Sequence, residues 1–171
     1  MKKLIPTSAI LFFVIINLNA QVEFGVSSGV FQSKRVAETL IRRNGHHNVG
    51  FYVGLYAEKK LSEKLALHSG ISYFYDISYE DHIEVPLELK YKLSKNWHLF
   101  FGPNLSFLVD KKELDKSYNI GVALGLSYNI SNQLSIYARY NYGLSKLYDR
   151  EVPHKSIRIN RFQIGLRYRF N

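Results

Sequence analysis

The even positions of residues 118–130 are Tyr118, Ile120, Val122, Leu124, Leu126, Tyr128 and Ile130. The odd positions are Asn119, Gly121, Ala123, Gly125, Ser127 and Asn129. Strand side chains alternate between faces, so this segment presents one apolar or aromatic face and one small or polar face. The alternation also predicts strands over residues 21–32, with Val22, Phe24, Val26 and Val30 on the apolar face, and over 47–59, with Val49, Phe51, Val53, Leu55 and Ala57. Residues 65–76 follow with Leu65, Leu67, Ile71, Tyr73 and Tyr75, and residues 82–93 with Ile83, Val85, Leu87, Leu89, Tyr91 and Leu93. Residues 97–108 carry Trp97, Leu99, Phe101, Leu105 and Phe107; residues 134–145 carry Leu134, Ile136, Ala138, Tyr140, Tyr142 and Leu144. The last segment, 157–170, carries Phe162, Ile164, Leu166, Tyr168 and Phe170.

The connections alternate in length. Ser62-Glu63-Lys64, Ser94-Lys95-Asn96 and Ser131-Asn132-Gln133 are short and polar, whereas 33–46, 77–81, 109–117 and 146–156 are longer. Short periplasmic turns alternating with longer outer loops belong to an outer-membrane barrel, and an even strand number returns both termini to one side. Strands near twelve residues, at roughly 3.3 Å per residue and a tilt near 40°, cover an apolar band of about 25 Å. The pattern therefore predicts an all-β, eight-stranded antiparallel up-and-down transmembrane barrel over residues 21–171. A soluble lipocalin-like barrel is the rival arrangement, with the apolar face turned inward around a ligand.

Three places depart from the pattern. Pro86 and Pro103 fall inside strands, where a missing ladder donor predicts local irregularity. Ile157 and Ile159 are odd while the apolar set from Phe162 onward is even, which predicts a bulge near Asn160 or emergence from the bilayer. Residues 36–43 read as a short helical turn in the first loop.

Residues 1–20 have the form of a cleaved secretory signal: Lys2 and Lys3, an apolar stretch over 4–16, then Asn17-Leu18-Asn19-Ala20. That stretch is shorter than the roughly 20 apolar residues a membrane helix needs. With no cysteine, disulfides, thiolate metal sites and an N-terminal lipid anchor are excluded. Thirteen Tyr and eleven Phe stand against one Trp, a balance that suits strands and bilayer interfaces. The mean hydropathy of −0.16 is compatible with a barrel, which hides half of its strand residues from lipid. The formal charge of +9 falls to +7 without Lys2 and Lys3, and no basic module marks a nucleic-acid binder.

If the apolar face meets lipid, the opposite face carries Asp76, Arg161, His68, His82 and His98 together with a lumenal charge network of Glu23, Glu58, Glu84, Glu88, Lys90, Lys92, Arg139, Arg167 and Arg169. Charges in a low-dielectric interior must pair, so Glu84 and Glu88 are expected to face Arg or Lys. An eight-stranded barrel is just wide enough for side chains to fill, which predicts a packed lumen without a wide pore. Glycines of that phase, such as Gly50, Gly125 and Gly165, make room for long neighbours. The histidines lack metal-ligand spacing and no Ser/His/acid set is visible, so no cofactor, metal or catalytic residue is assigned. A wall-mounted lipid A hydrolase and a narrow porin are the alternative activities.

Trp97, Tyr91, Tyr128, Tyr168 and Phe170 gather toward the short turns as membrane-interface aromatics, and Tyr73, Tyr75, Phe107, Tyr118 and Tyr142 toward the long loops. Lys34, Arg35, Arg42, Arg43, Arg150 and Lys155 place basic charge on the loop side, where lipopolysaccharide phosphates would be met.

The run IEVPLELKYKLSKNWHLFFGPNLSFLV, over residues 83–109, resembles the PorT-like outer-membrane β-barrel proteins of Bacteroidetes-type bacteria. The ending RFQIGLRYRFN resembles barrel termini read by the barrel assembly machinery. The resemblance implies an outer-membrane location in a Gram-negative bacterium. Some members of that family are associated with secretion systems, which makes secretion-system or other envelope proteins candidate partners beside lipid and lipopolysaccharide. It implies no catalytic residues. The expectation is a non-enzymatic membrane barrel with a structural or interaction role.

Overall fold

A computed structural model describes residues 22–38, 43–77, 81–109, 118–145, 147–148 and 156–170. Every regular element among them is a strand. In chain order these are β1 (Val22–Glu38), β2 (Arg43–Lys60), β3 (Leu65–Asp76), β4 (His82–Lys92), β5 (Trp97–Leu108), β6 (Tyr118–Asn129), β7 (Leu134–Gly143), β8 (Leu147–Tyr148) and β9 (Ser156–Arg169). Sequential antiparallel neighbours run from β1 to β7, β9 follows β7, and β9 pairs with β1. The sheet thus closes on itself with eight staves, and the two-residue β8 is an appendage on β9. Closure gives every stave two ladder partners, a requirement in hydrocarbon where no water can satisfy backbone groups. The proposed signal, 1–20, lies outside the described residues.

The alternation decides which way each stave faces. Leu124 is 56% exposed on the outside while its neighbour Ala123 has no exposure. Val30, Phe51, Val53, Ile71, Leu87, Phe101, Ile136 and Ile164 are likewise exposed apolar residues of the outer wall. This is the reverse of a lipocalin-like arrangement.

The three short turns share one construction. Leu65, Trp97 and Leu134 each donate a backbone N–H to the Oγ of a serine three residues earlier, Ser62, Ser94 and Ser131, at 3.1, 3.2 and 3.0 Å. In each turn the residue before the serine (Leu61, Leu93 or Ile130) donates its N–H to the carbonyl of that same Leu65, Trp97 or Leu134, at 2.9 Å. The hydroxyl takes a donor that would otherwise be unpaired at the turn, as short serine turns do.

Four expectations are corrected. The first long loop, 33–46, is largely strand: β1 and β2 remain paired from Val22↔Lys59 to Glu38↔Arg43, leaving 39–42 outside the described residues. The helical turn over 36–43 is therefore replaced by strand at its described positions. The last loop, 146–156, contains β8. No bulge interrupts β9, whose register with β1 holds without a shift from Gly25↔Arg169 to Glu38↔Ser156. Ile157 and Ile159 point inward like Arg161 and Gln163, so the phase is continuous and apolar residues occupy the lumen there.

At the two prolines the irregularity is a gap and not a bulge. The β3–β4 ladder omits Gly70 and Ile71 opposite Pro86 and Val85, yet resumes in the same register at Ser72↔Glu84. The β4–β5 ladder skips Pro103 and its neighbour Gly102 in the same way. Each proline withholds one donor without displacing the pairing.

Inward aromatic rings lie across from glycines. Phe31 pairs with Gly50, Tyr52 with Gly29, Tyr56 with Gly25, Phe100 with Gly125 and Tyr137 with Gly165. A Cβ on Gly125 would stand 2.4 Å from the Phe100 ring and 2.5 Å from the Ala138 carbonyl oxygen. We expect Gly125→Val to cost at least about 1–3 kcal/mol through overpacking. Urea unfolding in lipid vesicles measures it, and Phe100→Leu in the same chain should recover only part, because the Ala138 carbonyl stays in place.

Candidate functional site

The lumen is the place where chemistry-bearing side chains converge. On β4, Glu84 and Glu88 are four residues apart and both inward, and neither has any solvent exposure. Arg139 of β7 reaches between them. It donates through Nη2 to Glu84 Oε1 and through Nη1 to Glu88 Oε1 at 2.9 Å, while its Nε donates to Gln163 Oε1 at 2.9 Å. Arg161 of β9 donates to the other oxygen of Glu84. Arg167 lies 3.9 Å from Glu88 Oε2, a longer ion pair. Asp76, also buried, interacts electrostatically with Arg161 and lies 3.5 Å from the Asn48 amide.

The guanidinium faces rest on rings. Arg161 lies 4.8 Å from the centroid of Phe74, and Arg167 lies 4.1 Å from Tyr137 and 4.9 Å from Phe100. Tyr52 stacks on Phe74 at 4.8 Å and shares a hydroxyl–hydroxyl hydrogen bond with Tyr137. Desolvated cation–π contacts of this kind stabilise by about 2 kcal/mol each. Toward the loop end, Leu108, Ile157 and Ile159 form a small apolar cluster.

Every stave contributes a buried side chain to this cross-section. Phe31, Tyr52, Phe74, Glu84, Phe100, Ala123, Arg139 and Gln163 come from β1, β2, β3, β4, β5, β6, β7 and β9, and none exceeds 5% exposure. These side chains fill the middle of the barrel.

Toward the short turns the charges become wetter. Lys90 donates to both oxygens of Glu58 at 2.9 Å, and His68 Nδ1 lies 3.7 Å from the same carboxylate. Nearer the mouth, Glu23 accepts from Arg169 and pairs with Lys60 at 3.3 Å. The nine residues of the sequence-derived network thus separate into a fully buried cluster of Glu84, Glu88, Arg139 and Arg167, a largely buried Glu58–Lys90 pair, and a mouth pair of Glu23 and Arg169. Lys92 is exposed at the mouth and joins none of them. Among the described residues no three His, Asp or Glu side chains gather as a metal set.

On the outer wall, Trp97 packs on Tyr128 at 5.0 Å and Tyr168 on Phe170 at 6.2 Å, with Tyr91 nearby at the same short-turn end. At the loop end, Tyr142 accepts a hydrogen bond from Arg158, whose guanidinium lies 5.3 Å from the ring centroid. Lys34 is exposed and Arg35 half-buried on β1, and Arg43 opens β2. Arg42, Arg150 and Lys155 lie outside the described residues.

A closed barrel with an apolar outer wall and a charged, filled lumen narrows the family. The outer membrane protein beta-barrel domain matches residues 17–170. The chain belongs to that family. Its fold is shared with Ail, the attachment invasion locus protein of Yersinia pestis, at 17% identity and a TM-score of 0.54, covering 88% of this chain and 99% of that one. Neisserial surface protein A is similar at 16% identity and a TM-score of 0.52, with the same coverage. No curated protein matches the chain in sequence. The family places the protein in the outer membrane, where short turns face the periplasm.

The sequence reading passed over the inward rings Phe31, Tyr52, Phe74, Phe100 and Tyr137, and over Gln163. Parity could have found them, since each shares the phase of a charged or glycine position on its own strand. In the sequence alone, aromatic residues point first to the membrane interface.

Glu84 accepts from two guanidinium groups, so its loss would leave Arg139 with Glu88 alone as a carboxylate partner and Arg161 without its hydrogen-bonded one. We expect Glu84→Ala to destabilise the barrel by about 3–5 kcal/mol, the usual cost of breaking a buried ion pair by removing one partner. Equilibrium unfolding by urea in vesicles reads the change, and Lys92→Ala, removed from the exposed mouth, should lie within about 0.5 kcal/mol of the parent.

Proposed function

We propose that this protein is a non-conducting, non-enzymatic outer-membrane barrel whose role is interaction, exerted through a basic sheet that projects from its loop end. The observation that carries this is the unequal height of the staves. The β2–β3 ladder stops at Gly50↔Asp76, and the β7–β9 ladder stops at Asn141↔Arg161. The β1–β2 and β1–β9 ladders continue to Glu38↔Arg43 and Glu38↔Ser156. Past Arg35, whose partner Ile159 still packs on Leu108 inside the barrel, three residues of β1 remain, at about 3.3 Å each a projection of roughly 10 Å along the strand. Its backbone is held in ladders on both sides of β1, with β8 adding a further pairing to β9.

The lipid wall ends where this sheet begins. Val30, Phe51 and Ile164 face outward in one row, then Gln32 between the exposed Val49 and Phe162, and then Lys34 beside His47 and Asn160. Lys34, Arg35 and Arg158 add positive charge at and above that boundary, and β2 begins at Arg43. Arginine and lysine there suit phosphate groups of lipopolysaccharide, and a rigid sheet supplies two edges for an envelope partner. The resemblance of residues 83–109 to PorT-like proteins supports a partner belonging to a secretion system.

The test is binding of lipopolysaccharide to the purified barrel in zwitterionic micelles. Replacing Lys34, Arg35, Arg43 and Arg158 together by Gln should weaken it by about tenfold or more and flatten its salt dependence, while gel mobility still shifts on heating. Unchanged affinity would overturn the reading. In planar bilayers the same preparation should give no single-channel steps; regular steps would make it a narrow porin. Altered lipid A masses on deletion would favour a hydrolase.

A further inference from the structure

A recess of about 490 Å³ opens at the short-turn end of the barrel. Its lining holds six cationic side chains and three carboxylates, a surplus of three positive charges. Two of the carboxylates are already neutralised: Glu58 by Lys90, and Glu23 by Arg169 and Lys60. Lys64, Lys92 and Lys95 line the recess without a carboxylate partner among the described residues, and Glu63 sits on an exposed turn.

The recess is blind. Its floor is Tyr56, Glu58, Lys90 and His98, and behind them lie the buried His68, Arg167 and Glu88. A charged passage through a membrane would continue past that level, whereas a blind, charged recess retains what enters. The surrounding hydrocarbon has a low dielectric, which focuses the field of the lysines into the opening. The volume falls within the range of small-molecule sites, about 300–1,000 Å³.

We propose that this periplasm-facing recess binds a small soluble polyanion carrying phosphate or carboxylate groups. Lys92, Lys95 and Lys64 would supply the charge that the lumenal carboxylates do not use, with the polar turn residues Asn132 and Gln133 on the opposite wall. The site lies at the other end of the barrel from the projecting sheet and does not rest on the function proposed for it.

The experiment is calorimetric titration of the full mature chain, refolded in a zwitterionic detergent free of anionic lipid, with inorganic pyrophosphate and separately with citrate at low ionic strength. One saturable site is expected for at least one probe. The double variant Lys92→Gln, Lys95→Gln should weaken it by about tenfold or more, and added salt should do the same. Lys34→Gln, at the far end, should leave it unchanged. A preference for pyrophosphate assigns phosphate as the recognised group, and a preference for citrate assigns carboxylate. Both altered lysines are exposed, and heat-shifted gel mobility verifies that the variant is folded. The proposal is overturned if neither probe saturates, or if the double variant binds as the parent does.

Discussion

Arg139 is the side chain on which the interior depends. It bridges Glu84 and Glu88 of β4 from the opposite side of the lumen and fixes Gln163 of β9 at the same time. Its span ties staves that share no ladder, since β4 and β7 are three places apart in the sheet. Leaving any of these charges unpaired beneath a lipid-facing wall would cost several kcal/mol. The ladders close the cylinder, and the ion cluster decides which residues can stand inside it.

Width imposes the second constraint. Eight staves leave room for side chains and little more. Large inward groups therefore need small ones across from them, which explains why Phe31, Tyr56, Phe100 and Tyr137 each meet a glycine in register. The rings in turn give Arg161 and Arg167 a face to lie against, so aromatic packing and charge pairing are parts of one arrangement. The filled centre follows from both, and it moves any interaction with other molecules to the two ends.

Parity along the strands made the staves, the lipid face and the short turns legible, because each depends on residues adjacent in sequence. Glu84 and Glu88 could be assigned to the lumen in the same way. Their partners could not, since the stagger between β4, β7 and β9 is a property of closure that no single segment carries. Ile157 and Ile159 show the limit of an apolar-means-lipid reading. They share the inward phase of Arg161, and their apolar character suits a dry cluster with Leu108 inside the barrel. The first loop differs for a related reason: beyond Gln32 the alternation breaks at the polar run Ser33-Lys34-Arg35, while the ladder pairing carries on.

The two ends of the barrel differ in kind. At the loop end, strand pairing extends past the apolar wall, so basic groups are carried on a sheet with its backbone already ordered. A partner bound there would cost little further conformational entropy, which favours a large or repetitive surface. At the turn end, cations surround a hollow whose floor is closed by the Glu58–Lys90 pair. That geometry suits a small anion enclosed on several sides. With the Arg139 cluster filling the middle, each end can carry its own specificity on a shared wall.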